Sequence, residues 1–142
     1  MLPPTARPFR FQLRVYWEDT DAGGVVFYAN YLKFFERART EWLRGFGFSQ
    51  QALKREDGAI FVVSQTTVHY HQPARLDDEL CVTVQLRQAG RASMLIAQEA
   101  WRGDALMANG EIRIGCVDSH TFKLRRIPAA ITRALELPPP HP

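Results

Sequence analysis

Cysteine is scarce in this sequence. Only Cys81 and Cys116 occur in 142 residues, each inside an apolar run and neither with a partner at metal-ligand spacing. They read as two buried free thiols rather than a disulfide or a zinc site, which fits a reducing compartment. Long apolar runs are missing as well: none has the length needed to cross a bilayer, and Met1 to Pro8 lack the hydrophobic stretch of a secretory signal. A cytoplasmic protein without a membrane span is the expectation. Runs of like charge are also absent. The net charge of +3 comes from scattered arginines, which argues against nucleic acid as a partner and suits a phosphorylated small molecule. Proline gathers at the two ends, Pro3 to Pro8 and Pro138 to Pro142, where it reads as frayed tails around an ordered core of about 9–132. No internal repeat or linker divides the chain, so 1–142 is expected to form a single domain.

What is present is the composition of a soluble globular protein, 46% hydrophobic and 23% charged. Apolar side chains recur at every second position in Phe11-Gln12-Leu13-Arg14-Val15-Tyr16-Trp17, the pattern of a half-buried strand. The acidic, turn-forming stretch Glu18-Asp19-Thr20-Asp21-Ala22-Gly23-Gly24 ends it. Asn30 then reads as the cap of a helix whose Tyr31, Phe34, Phe35, Ala38 and Trp42 fall on one face. Gly45 and Gly47 stop that helix, and Ser49 is placed to cap a short second one running to about Glu56. Four β-rich segments follow, about Ile60 to Tyr70, Glu79 to Gln88, Ser93 to Trp101 and Ala105 to Asp118. The short separators at 89–91 and 102–104 read as hairpin turns of an antiparallel meander. One strand, one long helix and four strands make an α+β fold in which the helix covers one face of a sheet of about five strands. Strands as apolar as Leu80 to Val84 and Ile112 to Val117 leave the other face expecting company, hence a homo-oligomer.

The segment Tyr16 to Tyr31, followed by Phe35-Glu36-Arg37-Ala38-Arg39-Thr40-Glu41, closely resembles the Tol-Pal-associated acyl-CoA thioesterases of the 4-hydroxybenzoyl-CoA thioesterase family. The similarity continues in Phe48 to Leu53, Pro73 to Asp78 and Cys116-Val117-Asp118, and spans most of Arg14 to Pro128. The resemblance implies a hotdog fold, in which a curved antiparallel sheet wraps a long helix. It also implies active sites shared between two protomers, with a tetramer as the usual assembly, and hydrolysis of an acyl-CoA without metal or cofactor.

Thioester hydrolysis needs a carboxylate or other base near the carbonyl carbon and donors aimed at its oxygen. The acidic turn offers both kinds of group. By itself, Asp21 has the ordinary reading of a turn or capping aspartate; the resemblance assigns it the family's catalytic carboxylate. Direct addition to the carbonyl, giving an anhydride, and activation of water stay equally open. Glu18 and Asp19 are left as turn and solvent-facing acids. Gly23 and Gly24 are candidate sources of backbone N–H groups for the substrate. Tyr28 stands where the Tol-Pal-associated group often carries a histidine; by resemblance it is a hydrogen-bond donor or aromatic wall, and by itself it reads equally as a residue packed ahead of the helix. By resemblance, Val63 and Ser64 line the acyl and pantetheine channel, and Arg91 and Arg125, with Arg126, meet the CoA phosphates. His69 and His71 form at most half a metal site, with no third ligand evident. A hotdog dehydratase is disfavoured because no histidine lies between Trp17 and Arg44. A non-catalytic acyl-CoA-binding or partner-binding module is the remaining alternative.

Overall fold

Alternation of side chains explains which face of each strand meets the helix. The computed structural model describes residues 7–136; the outer parts of the two proline-rich tails lie outside the described residues. β1 (Phe9–Arg14), β2 (Ala59–Tyr70), β3 (Glu79–Ala89), β4 (Ser93–Arg102) and β5 (Ala105–Asp118) form one sheet in the order β1-β3-β4-β5-β2, antiparallel at every pairing. Leu80, Val82 and Val84 of β3, Met94 and Ile96 of β4, and Ile112 and Ile114 of β5 all turn to the inner face and are buried. The residues between them on the outer face include Cys81, Glu99, Glu111 and Arg113. That face is therefore far more polar than the apolar runs led one to expect. The sheet's two edges are the six-residue β1 and the twelve-residue β2.

The long helix α1 (Asn30–Gly45) lies on the inner face over β3, β1 and β4. Its Tyr31, Phe34, Phe35, Ala38 and Trp42 are buried, as their spacing required, and Gly47, at φ 98°, completes the stop. Beneath it Gln98 is fully buried on β4, yet each of its polar groups is satisfied. The amide Nε2 donates to the Phe35 carbonyl at 3.0 Å and the Thr83 carbonyl at 3.2 Å, and Oε1 accepts from Arg39 at 2.9 Å. A buried amide with every group paired fixes the position of helix against sheet, because sliding either one orphans it. Burial beside it holds the Arg39 guanidinium below its ordinary value.

α2 (Gln50–Asp57) packs on β2 and is capped by Ser49, whose hydroxyl accepts from Ala52 N–H at 3.1 Å. Two elements differ from the sequence reading. β1 begins at Phe9 and ends at Arg14, three residues short of Trp17, because the Asp19 carboxylate accepts from Tyr16 N–H at 2.8 Å and draws 17–19 into a 3₁₀ turn. Tyr16 and Trp17 consequently stand exposed. A third helix, α3 (Ala129–Ala134), follows Pro128 and buries Ile131 and, just beyond it, Leu135; six residues were too few to show a helical period.

Gly110 of β5 shows how tightly β5 and β2 meet beneath α1. A Cβ there stands 2.7 Å from the Thr67 carbonyl oxygen, with a Phe35 ring carbon at 3.4 Å. Gly110→Ala is expected to lower stability by about 1–3 kcal/mol, read as a drop in the urea midpoint at unchanged slope. An alanine variant as stable as the parent contradicts this packing.

Candidate active site

The acidic turn is a small hairpin built outside the sheet. Thr20 bridges Val26, Val25 bridges Arg75, and Val26 N–H donates to the Ala74 carbonyl at 2.8 Å. These bonds fasten the turn to the β2–β3 connection, at the end of the sheet where α1 starts. Asp21 N–H donates to the Val25 carbonyl at 2.8 Å, and its carboxylate closes the turn from within. Oδ1 accepts from Gly23 N–H at 2.9 Å and from Val25 N–H at 3.4 Å. The side chain is exposed, and Oδ2 accepts no hydrogen bond from the described residues.

This geometry changes the meaning of the glycines. Gly23 N–H is held by Asp21 Oδ1, and Gly24 N–H donates to the Asp21 carbonyl at 3.0 Å, so neither is open to a substrate oxygen. They are glycines because the turn requires them. Gly24 has φ 79°, and a Cβ on Gly23 sits 3.2 Å from Asp21 Oδ1. Backbone donors left open include the N–H groups of Tyr28 and Ala29, which make no hydrogen bond to a described residue and lie at the α1 N-terminus. Helix dipole and unpaired N–H groups coincide there.

Asp19 and Asn30 also depart from the sequence reading. Asp19 is only 5% exposed rather than solvent-facing; its carboxylate holds Tyr16, and its carbonyl accepts from Phe27 N–H at 3.0 Å and Asn30 Nδ2 at 2.8 Å. Asn30 is the first residue of α1 and not its cap; Ala29 takes the cap position, with φ −69° and ψ −18° already helical, so no side-chain cap is formed. The Asn30 amide instead ties the helix to the acidic turn. Glu18 is exposed, as expected.

Tyr28 is 64% exposed, and its ring touches Phe27 (centroids 4.9 Å apart) and Tyr70 (6.1 Å). Val63, half-exposed, pairs with Ile114 on the inner face of β2, and Ser64 is the extra residue of a bulge, its hydroxyl donating to the Arg113 carbonyl at 3.3 Å. Arg91 and Arg125 lie elsewhere. Arg91 is exposed in the β3–β4 turn, and Arg125 Nη1 donates to the Asp57 carbonyl at 2.6 Å, at the C-terminal end of α2. Both belong to the end of the sheet opposite Asp21, beyond the eleven residues of β3, or roughly 30 Å at ~3.3 Å per residue. The structure thus brings together Asp21, Gly23 and Gly24 in one turn, places Tyr28 at the approach to α1 against Phe27 and Tyr70, sets Val63 and Ser64 midway along β2, and leaves the arginines distant within one chain. His71 Nε2 pairs with Asn109 Oδ1, and among the described residues no group of His, Cys, Asp and Glu is arranged to hold a metal ion. A groove of ~570 Å³, lined among others by Arg10, Cys81, Glu99 and Trp101, opens on the outer face, away from Asp21.

Asn30→Asp tests the tie between turn and helix. Its carboxylate gains about 0.3–1 kcal/mol from the helix dipole but sets an acceptor against the Asp19 carbonyl, costing about 1–3 kcal/mol. A net loss of stability in urea is expected; a gain shows that the tie contributes nothing.

A family model described as the thioesterase-like superfamily matches residues 15–135. The chain is 46% identical over 124 residues to the acyl-CoA thioester hydrolase YbgC of Escherichia coli, covering 87% of this chain and 92% of that protein. It is 41% identical over 126 residues to the acyl-CoA thioesterase YbgC of Haemophilus influenzae, covering 89% and 93%. Among solved structures, a probable thioesterase from Bartonella henselae superposes with a TM-score of 0.83 at 33% identity, covering 86% of this chain and all of the other.

Proposed function

Because the chain belongs to the thioesterase-like superfamily, we propose that Asp21 is the carboxylate with which it hydrolyses acyl-CoA thioesters. The observation that carries this reading is the unequal use of the two carboxylate oxygens. Oδ1 is fixed by Gly23 and Val25 N–H groups, while Oδ2 accepts no hydrogen bond from the described residues, in a turn that Asn30 ties to the start of α1. A carboxylate that cannot rotate away presents its free oxygen in a constant direction. Oδ2 then either adds to the thioester carbonyl carbon, releasing CoA thiolate and leaving an anhydride for water to cleave, or takes a proton from water as the water adds. In both cases negative charge grows on the carbonyl oxygen, and the Tyr28 and Ala29 N–H groups with the α1 N-terminus are the donors suited to it. The Tyr28 ring forms the wall beside them.

The acyl-CoA site takes groups from two copies of the chain. β2 offers an open edge, and two such edges pairing about a two-fold axis run antiparallel. That arrangement carries the partner's Arg91 and Arg125 toward this chain's Asp21, with Val63 and Ser64 of both copies between them. Arg91 and Arg125 then serve the CoA phosphates; Arg125 keeps further N–H donors beyond the one given to Asp57. A dimer is the working unit in this reading, and pairs of dimers make the tetramer. The two free thiols, Cys81 and Cys116, support a cytoplasmic location.

Thiol release from a panel of acyl-CoAs tests the assignment. The wild type is expected to turn over at least one of them, and Asp21→Asn, which keeps the Oδ1 contacts sterically, is expected to lose about 10²–10⁴-fold in kcat with an unchanged urea midpoint. Binding of acyl-CoA without thiol release by the wild type makes the protein a binding module instead. Full activity in Asp21→Asn moves the chemistry to another residue.

A further inference from the structure

One aromatic side chain at the mouth of the site is unaccounted for. Tyr70 is the last residue of β2 and pairs with Ala108, so its ring turns to the inner face beside α1. It meets Tyr31 edge to face, at 5.6 Å and 62°, and Tyr31 is buried, with its own hydroxyl taken by Ala74 N–H at 3.4 Å. On its other side Tyr70 meets Tyr28 at 6.1 Å and 89°. Its hydroxyl donates to the Tyr28 carbonyl at 3.0 Å. One ring therefore holds both the backbone and the side chain of Tyr28 and is itself braced on the core. Tyr70 nonetheless remains 47% exposed, so part of the ring beside Tyr28 is open to a ligand.

We infer that Tyr70 is a positioning and specificity-determining residue, fixing the Tyr28 ring as one half of a two-ring wall that receives the acyl group. This rests on the proposed acyl-CoA site and adds to it the source of acyl selection. Two physical arguments support it. A tyrosine as exposed as Tyr28 has free rotamers unless something stops them, and the perpendicular ring contact supplies the stop. The carbonyl of Tyr28 belongs to the segment that presents the Tyr28 and Ala29 N–H groups, so the hydroxyl contact also sets where those donors point. Burial, with the neighbouring Tyr28, raises the Tyr70 phenol above its ordinary value, so it stays protonated and donates throughout the range in which enzymes are assayed. Two perpendicular rings present an edge and a face to a third. A flat acyl group gains from both, whereas a flexible chain gains only contact area.

The two parts of Tyr70 separate by substitution. Tyr70→Phe keeps the ring and loses the donor; Tyr70→Leu loses both. Binding is measured by calorimetry with two non-hydrolysable thioethers, S-benzyl-CoA and S-hexyl-CoA, and turnover with benzoyl-CoA and hexanoyl-CoA. Thermal midpoint and molecular mass by light scattering are followed for every variant. The inference expects Tyr70→Leu to lower the benzyl-to-hexyl affinity ratio by about threefold to tenfold and Tyr70→Phe to preserve that ratio. Tyr70→Phe is also expected to lower kcat by about threefold to tenfold with KM unchanged. An equal loss for both ligands in Tyr70→Leu, or a loss that follows the thermal midpoint or dissociation of the oligomer, reduces Tyr70 to a structural residue and overturns the inference. Wild-type binding of the thioethers without hydrolysis of any ester defeats the thioesterase reading alone, and the affinity ratio still decides the role of Tyr70. No binding of either thioether defeats both.

Discussion

The length of the sheet sets the two ends of this molecule apart. β3 separates the end that carries the acidic turn from the end that carries Arg91 by eleven residues, and an extended strand cannot be shortened without breaking its ladder on both sides. The carboxylate and the arginines of one chain are therefore held apart by the same hydrogen bonds that make the fold stable. A substrate that needs both must draw on two copies, and the open edge of β2 is where a second copy can pair without rearranging the first. On this view oligomerisation is the step that brings the reacting end and the anion-binding end of the substrate site together.

Within the turn, two carboxylates two residues apart are given opposite tasks by their surroundings. Asp19 is buried and organises: it ends β1 early by holding Tyr16, and its carbonyl collects Phe27 and Asn30. Asp21 is exposed and is itself organised, one oxygen locked by the backbone it encloses. The glycine N–H groups serve that enclosure, whereas those of Tyr28 and Ala29 at the start of α1 bond no described residue. The turn hangs from the Ala74–Arg75 segment on one side and from Asn30 on the other, so carboxylate and helix start are held in one frame. Pre-organised geometry of this kind is what a reaction with developing charge requires.

Much of this was legible in the residues. The hairpin separators at 89–91 and 102–104, the buried stripe of α1 and the Ser49 cap depend on local rules, and the structure follows them closely. The acidic stretch was legible as a turn because its acids and glycines are adjacent in sequence, and its assignment as a site came from the resemblance. What escaped depends on contacts between distant segments. The burial of Asp19 and the use of Asn30 as a tie arise only when the turn folds back on the helix start. The fate of the glycine N–H groups is a matter of turn geometry that composition does not fix. Tyr70 carried a faint signal, since its spacing from Val68 put it on the inner face, but its neighbours Tyr28 and Tyr31 lie about forty residues upstream in sequence. The polarity of the sheet's outer face was misjudged because runs such as Leu80 to Val84 look uniformly apolar until alternate residues are sorted to opposite sides.

The central claim, that each site joins Asp21 of one chain to the arginines of another, is tested most directly by mixing two crippled variants. Asp21→Asn and Arg91→Ala, each assayed alone at subsaturating acyl-CoA, have lowered thiol release. Subunit exchange between them produces mixed dimers in which one site carries both defects and the other carries none. A shared site predicts that activity rises on mixing toward about one quarter of the wild-type value, since random exchange places half of the chains in mixed dimers and half of the sites there are intact. If exchange is demonstrated by mass and activity stays at the average of the two variants, each site lies within a single chain and the account is wrong.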